Sequence, residues 1–426
     1  MDHFAYKSGV LHAEEVPLTR IAESVGTPFY VYSSATLEHH YRVFSEAFVG
    51  QNAHVCFAVK TNGNKAVLAL LARLGAGADV VSGGEMRQAI AAGIPAKRIV
   101  FSGVGKTRDE LTAALAAGIA QINVESEPEL RALSEFAASM GTLAPVALRV
   151  NPDVAADTHE KITTGRKENK FGIDIDQAPA LFRLARTLPG IDLKGVAVHI
   201  GSQILDLEPF RQAFARLREL VLALRAEGIN LERVDLGGGL GVPYHRDDPT
   251  SPPPDAYAAL TREAFGDLGV RLILEPGRLI AGNAGMLVSR VVYVKEGASR
   301  NFLILDSGFN DLIRPAFYEA FHEILPVNLP APDAPREPID VVGPICESSD
   351  IFARQRLLPP IAPGELVAFA TAGAYGAVMA STYNGRPLVP EVLVRGARFD
   401  VVRRRPTPAE MAALETVPDW LKNPAS

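Results

Sequence analysis

The chain has 426 residues, a formal charge of -6, 47% apolar and 22% charged side chains, the mix of a globular protein long enough for two domains with cores of their own. Its scattered, net negative charge excludes an electrostatic case for nucleic acid or an anionic membrane, with Arg403-Arg404-Arg405 taken as a solvated strand edge. No apolar run approaches about eighteen residues and Met1 to Lys7 lack the apolar core of a signal peptide, so a cytoplasmic protein is expected.

Residues 1–33 hold short extended pieces, Gly9 to His12 and Pro28 to Tyr32, around a helical Leu18 to Val25. After a helical Ala35 to Phe48, one unit repeats: buried strand, polar turn, helix. Its eight strands are Val55–Lys60, Ala78 to Ser82, Arg98 to Ser102, Gln121 to Glu125, Val146 to Asn151, Gly195 to Ile200, Arg233 to Leu236 and Arg271 to Glu275. Helical patterns fall between them, including Lys65 to Leu74, Arg108 to Ala117 and the long Leu207 to Glu227. Continuous apolar strands alternating with helices demand a parallel sheet covered by those helices, and eight uniform units close a (β/α)8 barrel over residues 34–279. An open doubly wound sheet is the alternative. Past Gly277 strand-like runs follow one another with little helix, from Met286 to Val402. They predict a β-rich second domain of residues 280–426 joined by residues 1–33, with loops at Ser251 to Pro254 and Pro326 to Pro338.

Two nucleotide-like motifs fail on spacing. Gly103-Val104-Gly105-Lys106-Thr107 ends like a P-loop, but the required earlier glycine is Val100. Gly237-Gly238-Gly239-Leu240-Gly241 lacks the dinucleotide pattern and offers instead bare backbone at the end of the seventh strand. The eighth strand ends in Glu275-Pro276-Gly277-Arg278, and barrels commonly bind phosphate after strands seven and eight. Lys60, taken alone, is a lysine leaving a strand. On the same rim stand Asp79, Arg149, His199 with Ser202, and Glu275. An amine that can bind covalently, a phosphate cradle and an acid for a ring nitrogen together point to pyridoxal 5'-phosphate.

These segments, with Ala197 to Gln203, resemble the fold-type III pyridoxal-phosphate decarboxylases. The stretches Asn310 to Tyr318, Gly343 to Ser348, Gly373 to Ala377 and Tyr383 to Pro387 resemble the branch of that family acting on diaminopimelate. The likeness runs in order along nearly the whole chain. Phe317 stands where leucine is usual and Ser349 where glycine often follows; neither touches a polar role.

The resemblance implies decarboxylation of meso-2,6-diaminopimelate to L-lysine and carbon dioxide, the last step of lysine biosynthesis. It implies that Lys60 holds the cofactor covalently, Glu275 faces its ring nitrogen where related racemases place an arginine, and His199 lies on its ring. Ser202, Gly238, Gly239, Gly277, the Arg278 backbone and the Tyr375 hydroxyl would hold the phosphate, with Asp79 and Arg149 near the lysine and the ring hydroxyl. Arg278, Arg314 and Tyr318, beside Tyr375, would take the substrate's distal carboxylate and Glu347 its distal ammonium, which disfavours substrates ending in a bare amine. Cys346 would reprotonate the carbanion, from the partner chain of a homodimer with shared sites, while Cys56 is core. Thr158 to Gly165, continuing to Lys170-Phe171-Gly172, resembles the substrate-recognition loop. No metal is expected. The rival readings are a sister enzyme acting on ornithine, arginine or carboxynorspermidine, and a non-catalytic binding homologue.

Overall fold

A computed structural model describes residues 2–154, 170–245 and 247–422. The predicted loop Thr158 to Gly165 lies outside the described residues. The chain divides into two compact units: residues 1–3, 33–285 and 373–378, and residues 4–32, 286–372 and 379–426.

The first unit is a closed barrel of eight parallel strands: Ala53–Ala58, Gly77–Val80, Ile99–Phe101, Gln121–Val124, Ala144–Asn151, Ile191–Val198, Arg233–Asp235 and Arg271–Leu274. The eighth pairs with the first (Leu272 beside Ala53) and the fourth with the fifth (Ile122 beside Val146), leaving no open edge among them. Each expected strand exists, with ends shifted by a few residues. The first stops at Ala58, and Lys60 lies on a 3-10 turn, Val59–Thr61, rather than on the strand. His199 and Glu275 each stand one residue past a strand end. Each therefore points its chemistry at the carboxyl rim instead of filling the barrel.

Outside the strands, helices bury one face each. Helices Ser34–Ala47, Glu208–Ala226 and Pro254–Phe265 meet in an aromatic cluster of Phe44, Phe48, Phe210, Phe214, Tyr257 and Phe265. Phe214 lies 5.9 Å from Tyr257 and 5.7 Å from Phe265, both edge-on.

The second unit is β-rich. Phe4–Lys7, Val10–Ala13 and Val16–Pro17 form a three-stranded sheet, and Phe29–Ser33 enters a nine-stranded sheet between Gly285–Lys295 and Glu391–Arg395. Its core joins Leu11, Phe29 and Val31 to Met286, Val288, Val392 and Val394. Two corrections apply to the sequence expectations here. The span Pro326 to Pro338 is not all loop, because it takes in the end of strand Ile324–Pro326 and the start of Glu337–Val342. A further strand, Ile351–Leu358, pairs antiparallel with the latter. Its centre, Arg354-Gln355-Arg356, is polar and half of it faces water, so it lacks an apolar run. Among the described residues no helix is long and apolar enough to cross a membrane.

Phe214→Ala is expected to destabilise the barrel unit by about 3–5 kcal/mol, because it empties a buried aromatic site. Urea denaturation followed by circular dichroism measures it.

Candidate active site

The barrel mouth holds a cavity of about 290 Å³ whose wall includes Lys60, Arg149, Phe171, His199 and Glu275. Four residues expected from the sequence thus share one space. Asp79 is completely buried and accepts from the Lys60 ammonium at 2.6 Å, while the lysine keeps 34% of its side-chain surface accessible. Burial alone would lower the ammonium's pKa, but the Asp79 carboxylate, aided by Tyr375 and Glu275, carries it upward.

The acids beneath Lys60 are unusual. Asp235, buried at the end of the seventh strand, accepts from Gln121 Nε2 (3.1 Å), Asn123 Nδ2 (3.0 Å) and the Gly237 N–H (3.0 Å). Burial still pushes its pKa up to about 6. Glu275 is raised well above the carboxylate range, by burial first and then by Asp235 and Asp79. Its Oε1 has no hydrogen-bond partner, and neither has Asp79 Oδ1. His199 is shifted the other way, by burial and then by Arg149 and Lys60. Its Nδ1 accepts the Gly238 N–H at 3.2 Å, so the neutral ring carries its proton on Nε2.

Backbone closes the other side. A Cβ on Gly238 would lie 2.3 Å from the Glu275 carbonyl oxygen, and one on Gly277 would lie 2.1 Å from Thr61 Oγ1 and 3.0 Å from Ala58 Cβ. Gly239 accepts the Ile204 N–H through its carbonyl (3.0 Å), which seats the Gly201-Ser202 loop beside the glycine run. Tyr375, in the left-handed region at φ +55°, donates its N–H to the Thr61 carbonyl at 2.8 Å. Its ring lies 4.8 Å under the Arg278 guanidinium. Arg278 also donates to Ser202 Oγ (3.0 Å) and Tyr244 Oη (2.6 Å). Ser202, expected to serve the phosphate alone, therefore also holds Arg278.

The other expected residues belong to the second unit. Arg314 opens the short helix Arg314–Tyr318, and its Nη1 contacts His322 Nε2 at 2.8 Å. His322 Nδ1 in turn meets the Ala370 carbonyl at 2.9 Å, so Nδ1 is the protonated nitrogen and Nε2 accepts. The Tyr318 ring stands edge-on to Phe317 at 4.7 Å. Cys346 is an exposed thiol whose N–H donates to Asn384 Oδ1 at 3.1 Å. Glu347 accepts from Tyr383 Oη (2.5 Å) and Ser349 Oγ (3.0 Å), which lowers its pKa. Buried Asp350 shapes that loop by accepting the N–H groups of Phe309 and Ile345, each at 2.7 Å. Asp235, Tyr244, His322 and Asp350 were not singled out from the sequence. Asp235 had a signal, a charge inside an apolar strand; the others had none.

The family description "Pyridoxal-dependent decarboxylase, pyridoxal binding domain" matches residues 34–282. The chain belongs to the pyridoxal-dependent decarboxylases. It is 48% identical over 417 residues to a diaminopimelate decarboxylase of Haemophilus influenzae, covering 98% of this chain and 100% of that one. To the Pseudomonas aeruginosa diaminopimelate decarboxylase it is 49% identical, covering 98% and 99%. Among solved structures, the Helicobacter pylori diaminopimelate decarboxylase complexed with L-lysine superposes with a TM-score of 0.89 at 39% identity, covering 93% of this chain and 98% of that one. The mouth fits pyridoxal phosphate on its own terms: an accessible amine, an unpartnered oxygen on a buried carboxyl, and glycines with no room for a side chain.

Gly238→Ala should displace Glu275 at a cost of roughly 1–3 kcal/mol, read as weaker pyridoxal-phosphate binding in absorbance titrations of the apoprotein. The ring signals of His199 should not titrate between about pH 6 and 8 in NMR spectra, since its lowered pKa keeps it neutral throughout.

Proposed function

We propose that the chain removes carbon dioxide from meso-diaminopimelate and releases L-lysine, with pyridoxal phosphate as cofactor. The observation that carries this reading is the meeting of Lys60, Asp79, His199 and Glu275 at one barrel mouth, in a chain 48% identical to a diaminopimelate decarboxylase. Bound there, the cofactor supplies a sink for the electron pair left on the α carbon when carbon dioxide departs. Lys60 would hold it covalently through its amine. Glu275, whose pKa burial raises well above the carboxylate range, would face the ring nitrogen and share a proton with it. His199, whose lowered pKa favours the uncharged imidazole, would lie against the ring. Ser202, Gly238, Gly239, Gly277, Arg278 and Tyr375 would hold the phosphate, with Asp79 and Arg149 beside the amine and the ring hydroxyl.

Substrate selection falls to Arg278, Arg314 and Tyr318 on the distal carboxylate and to Glu347 on the distal ammonium. The Cys346 thiol gives the α carbon the proton that replaces carbon dioxide, which balances the reaction as one carbon–carbon bond broken and one carbon–hydrogen bond formed. Cys346 and Glu347 lie on the exposed surface of their unit, which supports a homodimer in which each chain completes the other's site. A working thiol also suits the reducing cytoplasm.

Purified protein given meso-diaminopimelate and pyridoxal phosphate should yield lysine. Lys60→Ala should be inactive, and undiminished turnover by it would sink the mechanism. Cys346→Ala should lose about a hundred- to ten-thousandfold in kcat. Because each shared site needs one residue from each chain, mixing the two inactive variants should restore about a quarter of the activity. No recovery on mixing would reject the shared site.

A further inference from the structure

The geometry points to Glu125 as a positioning residue that fixes the Arg149 and Phe171 wall of the cofactor cavity. Glu125 follows the fourth barrel strand, Gln121–Val124, and its side chain is 2% exposed. Its Oε1 accepts the Gly103 N–H at 2.8 Å and Arg149 Nη1 at 3.1 Å, and its Oε2 accepts the Gly172 N–H at 3.1 Å. Three separate pieces of the wall, the turn after the third strand, the fifth strand and the segment carrying Phe171, thus hang on one carboxylate. The Arg149 guanidinium lies 5.0 Å over the Phe171 ring, which seats the two against each other. Gly172 reaches Glu125 through a left-handed turn at φ +73°, with the Asn151 N–H only 3.3 Å from where a Cβ would stand.

Every partner is a donor, and both oxygens are used. An ionised carboxylate satisfies all three, whereas a glutamine must turn an NH2 toward one donor whichever way it faces. The backbone of Glu125 is itself held. Glu129 Oε2 accepts the Glu125 N–H at 2.8 Å, and Glu129 Oε1 takes the Lys106 ammonium at 2.6 Å. Lys106, 1% exposed, spends its remaining donors on the Gly103 and Asn123 carbonyls. Glu125 does not line the cavity, whereas Arg149 and Phe171 do, so it acts through them.

The inference rests on the cavity being the pyridoxal-phosphate site. Absorbance titration of the apoprotein with pyridoxal phosphate should show Glu125→Gln binding about ten- to a hundredfold more weakly, with a comparable fall in kcat/KM for meso-diaminopimelate. Arg149→Gln should show similar losses, and the double variant should be within about twofold of Arg149→Gln, since a positioning role has nothing left to position. Binding by Glu125→Gln within about twofold of the unaltered protein, or losses that multiply in full with those of Arg149→Gln, would overturn the proposal. If Glu125→Gln does not fold, Glu125→Asp, one methylene too short for all three donors, is read against the same two outcomes. An active Lys60→Ala rejects the site itself; an inactive Lys60→Ala beside an unimpaired Glu125→Gln rejects only this inference.

Discussion

Buried negative charge at the mouth of an otherwise apolar barrel is the constraint to which the rest of the site answers. Asp79, Asp235 and Glu275 are 0%, 1% and 6% exposed, and a carboxylate without compensation costs several kcal/mol in such surroundings. The chain resolves this three ways. Asp79 takes an ammonium, Lys60. Asp235 takes two side-chain amides and a backbone N–H. At Glu275, whose Oε1 has no hydrogen-bond partner, burial with the neighbouring Asp235 and Asp79 raises the pKa well above the carboxylate range, so its charged form is the disfavoured one. That third solution is useful only beside a group that can share a proton, and a pyridine nitrogen is such a group.

The same crowding explains why so much of the mouth is backbone. Gly238 sits against the Glu275 carbonyl, and Gly277 against Ala58 and Thr61. Side chains there would push apart the seventh, eighth and first strands where their acids and amine converge. The glycines thus serve packing first, and the concavity they leave suits a phosphate as a consequence.

The barrel was legible in the sequence because parallel strands buried on both faces read as unbroken apolar runs. Lys60, His199 and Glu275 were legible as charged or polar residues ending those runs, although each proved to stand just beyond its strand. Glu125 was hidden by its context. Ser126 caps helix Glu127–Ser139 and accepts the Glu129 N–H, so an acidic residue beside that cap reads as ordinary helix-start chemistry. Its partners, Gly103, Arg149 and Gly172, come from three other places in the chain, and no local pattern announces them. The strand Ile351–Leu358 was missed for a related reason: its polar centre fits a sheet face open to water, which only the tertiary arrangement reveals. His322 likewise gains its meaning only from Arg314.

The cations divide by the partners that hold them. Lys60, Arg149 and Lys106 each rest on a carboxylate: Asp79, Glu125 and Glu129. Burial, with the Arg149 and Lys60 charges beside it, favours the uncharged form of His199. Arg278 is oriented by hydroxyls of Ser202 and Tyr244 and by the Tyr375 ring, and Arg314 by an imidazole. Such partners aim a guanidinium without cancelling its charge. On the proposed reading each guanidinium would take a carboxylate of the substrate, and a positive charge there would disfavour a substrate that brings only an amine. The charge pattern thus sets the carboxylate-held cations of the barrel mouth, beside the groups that bind protons, apart from Arg278, which hydroxyls and an aromatic ring orient.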